Sequence, residues 1–226
     1  MRISLCLTVL ALAAAARAQA ATPYPSMAPV DRYMIADRKA EIALARTAAP
    51  PSISAEARVL VLGRRGYETA VKGSNGFVCL VARSWTGNFD DPEFWNPKIR
   101  APNCFNPPAA DSVLPRLLMR TEWALAGLSK ARMIAMNAAI IAARHARAPE
   151  ADSFSFMLSR QGYLGDQVGG PWLPHVMFFV PHGHAVAWGA GLEASPVEGQ
   201  EGHPGAPTVL FIPVRRWSDG SPAPPT

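Results

Sequence analysis

Apolar and polar positions along residues 31–47 recur at helical spacing. Ile35, Ile42 and Ala45 make one stripe, and Arg38, Lys39, Glu41 and Arg46 fill the positions between. The pattern predicts a helix capped by Asp31 and stopped by Ala49-Pro50-Pro51. The rhythm then changes. Residues 57–62 are a continuous Val/Leu run, residues 67–72 alternate, and residues 77–83 are apolar again after Gly73-Ser74-Asn75-Gly76. These read as strands of a small antiparallel meander, with a hairpin expected over 67–83. Residues 84–110 show no period and carry Trp85, Phe89, Phe94, Trp95 and Phe105 among Gly, Asn, Asp and Pro. They read as a long loop packed on the body.

Helical spacing returns after Asp111 or Ser112, either of which could cap, with Pro115 in the first turn and an end near Gly127. Ser129 can cap a third helix running to about residue 146, whose Met133, Met136, Ile140 and Ile141 stripe and high Ala content predict the most buried helix. Strand-like runs resume at 154–159, 176–180, 185–188 and 209–214, with a Gly/Pro/Glu loop at 194–207. Helix, strands, helices, strands is an α+β order with a mainly antiparallel sheet around a central helical block. PAS and Cache sensor domains share this element order broadly, as an analogy that carries no residue across.

The first twenty residues stand apart. Arg2 precedes an uncharged apolar run from Ile3 to Ala16, and Ala18-Gln19-Ala20 is a small-x-small site, the three parts of a secretory signal peptide. Nothing later approaches the length of uncharged apolar chain that a membrane span needs, so no transmembrane segment is expected in the mature chain. The expected organisation is a signal peptide at 1–20, an extended Pro-rich lead at 21–30, one α+β domain at 31–217 and a disordered Pro-rich tail at 218–226. A periplasmic or secreted location follows.

Composition matters mainly through this segment. The 226 residues carry a formal charge of +5, which could point to nucleic acid. Arg2 and Arg17 leave with residues 1–20, and +3 remains, without a basic run, so nucleic acid is not expected as a partner. Cys6 leaves too. Cys79 and Cys104 remain as an even pair in an oxidising compartment, and a disulfide between them would stabilise by about 3 kcal/mol in the chain-entropy model. The 22 prolines, roughly twice the usual share, gather in the lead, the loops and the tail.

No motif names a reaction. The segments Ser159–Asp166 and Gly169–His175 combine glycines, which let backbone approach a ligand, with the flat, polar-tipped rings of Tyr163, Trp172 and His175. With Trp85 from the long loop, these are the candidate ligand-binding residues. His182-Gly183-His184 places two imidazoles at i and i+2, a spacing at which a strand could direct both to one zinc ion, with His175 as a third ligand. Glu68 or Asp166 would then be the base of a metal-assisted hydrolase. Two turn histidines facing solvent are the plainer reading, and a solvated strand face the plainer reading of Glu68 with Lys72. Ser84 lacks a nucleophile elbow, and Gly63-Arg64-Arg65-Gly66 lacks the phosphate-loop Gly-Lys-Ser/Thr.

The text Gly66-Tyr67-Glu68-Thr69-Ala70-Val71-Lys72-Gly73, Gly76-Phe77-Val78-Cys79 and Gly170-Pro171-Trp172 resembles bacterial secreted or periplasmic proteins that carry no assigned function. The resemblance implies export and nothing about activity. The leading expectation is an exported, non-catalytic domain of ligand-binding or sensory type, without a cofactor and with a small molecule or envelope protein as partner. The alternatives are the zinc-assisted hydrolase and a structural envelope protein, which a surface without a pocket would favour.

Overall fold

The computed structural model describes residues 23–143, 145, 147–166, 173–202 and 206–224. The expected signal peptide, Trp172 and the Gly169–Pro171 stretch lie outside the described residues. The fold is α+β. Its helices are α1 (Arg38–Arg46), α2 (Pro51–Ser54), α3 (Pro107–Ser112), α4 (Leu114–Leu125) and α5 (Lys130–Ala142). Its strands are β1 (Arg58–Leu62), β2 (Tyr67–Val71), β3 (Val78–Ala82), β4 (Ala101–Phe105), β5 (Phe154–Met157), β6 (His175–Val180), β7 (Glu198–Gln200) and β8 (Thr208–Pro213). They form one sheet in the order β2-β1-β3-β4-β5-β6-β8-β7. The β1–β3 pair is parallel and all the other pairs are antiparallel.

The expected 67–83 hairpin does not form. β2 folds back on β1 through the Gly63–Gly66 turn, where Gly63 N–H donates to Gly66 at 2.8 Å, and β3 pairs with β1 on its other side. The chain reaches β3 by crossing the start of β1, with Ser74 N–H donating to the Glu56 carbonyl at 2.8 Å and Asn75 Nδ2 to Ile53 at 2.8 Å. Gly73 makes this crossing possible, because a Cβ there would sit 2.1 Å from the Arg58 nitrogen. The turn residues thus mark a crossover, a distinction the local pattern does not carry.

Alternation along β3 and β4 divides the core. Leu80, Ala82, Ala101 and Phe105 face α3 and α4, while Cys79, Val81 and Cys104 face α1 with Val59 and Ala45. A disulfide joins Cys79 to Cys104, which are direct partners in the β3–β4 register. Cys104 therefore lies on a buried strand and not in the expected loop, and Pro102 and Asn103 had hidden that strand from the pattern.

Caps shift the helices too. Asp37, not Asp31, caps α1 by accepting from Lys39 N–H at 2.8 Å, and Asp31 instead pairs with Arg64 on the surface. Asp111 and Ser112 lie inside α3, which Asn106 caps, and α4, with Pro115 in its first turn as expected, starts after Val113 without a side-chain cap. Ser129 does cap α5, but α5 is far from the most buried helix, since only Met133 and Asn137 are buried there. Its alanines supply helix propensity, and alanine tolerates exposure.

Residues 185–188 form a 3-10 turn (Val186–Trp188), not a strand. Within the tail expected to be disordered, residues 218–223 are held: Ser218 N–H donates to the Leu158 carbonyl at 2.9 Å, Ala223 N–H to Arg215 at 2.8 Å, and Arg216 bridges to Pro222.

A candidate ligand trough on one face of the sheet

One buried charge network closes the β1–β3 end. Arg83 and Glu41 pair at 2.8 Å with both side chains at 2% exposure or less. Arg83 also donates through Nε to the Tyr33 carbonyl at 2.8 Å, and Glu41 accepts Leu62 N–H at 3.2 Å. Tyr67 donates to the Val81 carbonyl at 2.7 Å, and burial pushes its phenol well above the usual range. Every polar group named here has a partner, so this region reads as structure.

The opposite situation holds across the middle and far end of the same sheet. A cavity of about 580 Å³ lies on the face that carries Ala82, Asn103, Met157, His175, Met177 and Phe211. Its lining runs from β3 across to β7, which at about 4.8 Å per strand is roughly 24 Å of floor. Val113, at the N-cap of α4, and Arg116, Leu117 and Arg120 of α4, at helical i, i+3, i+4, i+7 spacing, form the roof, with Asn137 of α5 beside them. Ser84 and Asn103 are buried, and Glu198 and Gln200 on the edge strand β7 are exposed. The end near β3–β4 is therefore the more closed one, with Gly87 exposed at its rim, and the trough opens to solvent at β7.

The floor and roof are mostly apolar, with polar groups along their length, and Arg120 lies beside the turn that begins at Ser84. Asn103 Oδ1, Ser84 Oγ and Arg120 Nε are buried with no hydrogen-bond partner among the described residues. Each such group costs about 1–3 kcal/mol when left unmet, a cost that a ligand or water in the cavity would relieve. Arg120 donates to the Gly87 carbonyl at 2.6 Å and lies 4.1 Å from the Phe89 ring centroid. Desolvation, followed by the neighbouring Arg116 charge, pushes its guanidinium down to about 9. Arg116 is lowered by desolvation as well, and it donates to Asn137 Oδ1 at 3.2 Å.

His175 is the candidate ligand residue that the structure places in this cavity. It is 8% exposed, Nδ1 donates to the Leu173 carbonyl at 3.0 Å, and its ring meets Phe211 edge-on at 5.5 Å. Burial lowers its pKa. Trp85 is elsewhere: fully buried in the core, it donates to Thr121 Oγ1 at 3.1 Å and packs on Tyr33 at 4.7 Å, so it is a core residue and not a ligand face. Tyr163 is also outside the trough. Its hydroxyl and that of Tyr24 donate to Asp166, which Lys98 grips at 2.7 and 2.9 Å. These bonds, led by Lys98, hold the Asp166 carboxyl far below the usual range, so Asp166 is a surface clasp and a poor general base. Glu68 is exposed on β2, and its side chain lies over Gly63.

The histidines do not converge. Strand β6 separates His175 from the turn bearing His182 and His184 by at least about 17 Å of extended chain. His182 pairs with Glu201 at 3.3 Å, and His184 is exposed. Among the described residues no group of three His, Cys, Asp or Glu could hold a metal ion. Among them, too, no helix is long and apolar enough to cross a membrane.

Reading the sequence by motif missed Arg116, Arg120 and Asn103. The signal for the first two was present: two cations four residues apart, inside the apolar stripe of Val113 and Leu117. Like charges at i, i+4 disfavour a helix, and here the bulk of the domain desolvates them as well. The chain matches no family model, no curated protein and no solved structure.

Proposed function

We propose that this is an exported, non-catalytic binding domain, of ligand-binding or sensory type, that takes a small elongated molecule in the trough. The cavity carries the reading. Its volume lies inside the roughly 300–1,000 Å³ range of small-molecule sites, and its walls are mostly apolar with a few polar groups. A structural envelope protein has no use for such a hollow with unmet polar atoms at its closed end. A metal-assisted hydrolase needs histidines that one strand holds apart.

Export rests on the signal-like residues 1–20 and is supported by the Cys79–Cys104 disulfide, which persists in oxidising compartments. Two measurements test the two halves. The exported chain is expected to begin at Ala21, and a chain retained in the cell with residues 1–20 intact would overturn export. Native mass spectrometry of that chain is expected to show a bound small molecule released on unfolding. A bare mass, together with no rise in melting temperature on adding dodecan-1-ol, would overturn ligand binding.

A further inference from the structure

We infer that the closed end of the trough is a site for an oxyanion, so that the ligand is a single-chain amphipath with a carboxylate head. This deepens the proposed ligand-binding reading and rests on it. The charges around the cavity give the sign. Arg83 is neutralised by Glu41 at 2.8 Å. Of the carboxylates that line the cavity, Glu198 stands on the exposed edge strand at the mouth, and Asp91 is by the closed end with its Oδ1 accepting from Glu93 N–H at 2.7 Å. Arg120 forms no ion pair among the described residues, and its bonds go to neutral carbonyls. A half-buried cation without a counter-charge favours an anion as its partner.

The neighbouring polar atoms fit the same head. Arg120 Nε–H donates, and the Ser84 hydroxyl can donate, to carboxylate oxygens. Asn103 lies opposite Leu80 in the β3–β4 register, four residues short of Ser84, so its amide faces the trough farther along than the head and can meet a water or a ligand hydroxyl there. Arg120, with the carbonyls of Thr86 and Gly87 that fix it, sits beside the 3-10 turn that begins at Ser84, so these groups belong to one end of the cavity. From there the floor runs over Phe105, Met157, Met177, Phe179, Val209 and Phe211 to the open mouth. That is an apolar track for one chain, and its length sets the expected ligand as elongated.

The test compares three twelve-carbon probes of equal chain, by calorimetric titration of the exported, disulfide-intact chain at pH 7.5. Dodecanoate is expected to bind at least tenfold more tightly than dodecan-1-ol, and dodecylamine more weakly than the alcohol. Arg120→Gln is expected to bring the acid-to-alcohol ratio to within twofold, and Arg120→Lys to keep a preference for the acid. Should Arg120→Gln fail to fold by circular dichroism, the wild-type ratio and Arg120→Lys decide. Equal binding of acid and alcohol would overturn the anionic head and leave the ligand trough standing. A tenfold preference unchanged in Arg120→Gln would overturn it too, by placing the head elsewhere. If wild type binds none of the probes, the carboxylate inference fails, and the bound mass of the exported chain decides the ligand reading separately.

Discussion

The two halves of the sheet are built under opposite rules. From β1 to β4 both faces are covered, by α1 on one side and by α3 and α4 on the other, and β3 is buried at every position. From β6 to β7 one face is covered by the segment around Ala185, Ala190 and Val197, and the other is left as the floor of the trough. In the first half charges are paired at 2.8 Å and buried. Where the trough reaches in over β3 and β4, Asn103 and Ser84 are buried without a hydrogen-bond partner among the described residues. One sheet thus combines a closed core, which fixes the fold, with an open face, and the proposed binding reading places the ligand on that open face.

The largest expected effect breaks the closed half. Glu41→Ala leaves the Arg83 guanidinium buried without its partner and should cost about 3–5 kcal/mol in urea unfolding. A loss below 1 kcal/mol would show that the network is not the lock of this half. Next comes the disulfide, which closes a separation of 25 residues. Cys79→Ala with Cys104→Ala should lower stability by about 3 kcal/mol without displacing a ligand.

A matched pair then sets the halves against each other. Leu80→Phe overpacks a residue at 0% exposure and should cost about 1–3 kcal/mol. Val209→Phe places the larger side chain in the trough, so it should leave the melting temperature nearly unchanged while weakening dodecan-1-ol binding. Equal melting losses for the two would mean that the second half is as tightly packed as the first.

The smallest effect is on pH dependence. Burial favours neutral His175 in the folded state, so its folded pKa lies below the unfolded value near 6.5. The unfolded chain takes up the proton first as pH falls. Stability from this group is present above about pH 6.5 and is lost as the pH drops through the folded pKa. His175→Asn should therefore flatten the slope of melting temperature against pH between 7 and 5, and an unchanged slope would remove the histidine from the account.

The closed half was largely legible in the sequence. Strands buried on both faces read as continuous apolar runs, as β1 and β3 do, and the cysteine pair followed from counting once residues 1–20 were set aside. The open half was not. β7 is Glu-Gly-Gln at an exposed edge, and nothing in its polarity marks it as a strand. β4 hides behind Pro102 and Asn103, whose partners are supplied by tertiary neighbours. His175 was singled out for its glycine- and tryptophan-rich surroundings, and the same reasoning mistook Trp85, a core residue, for a binding face. The trough itself arises where α4 lies over floor residues of β3 to β7 without filling the space between. That is a mismatch between elements far apart in sequence, and no local pattern records it.

The most direct test follows methionine methyl groups by NMR while dodecanoate is added to the disulfide-intact chain. Met157 and Met177 floor the trough, and Met133 is fully buried in the separate cluster with Trp85 and Phe94. The account predicts that the Met157 and Met177 signals shift with saturating dependence while Met133 stays in place. Shifts of Met133 as large as those of Met157 and Met177, or no shift at either trough methionine, would contradict it.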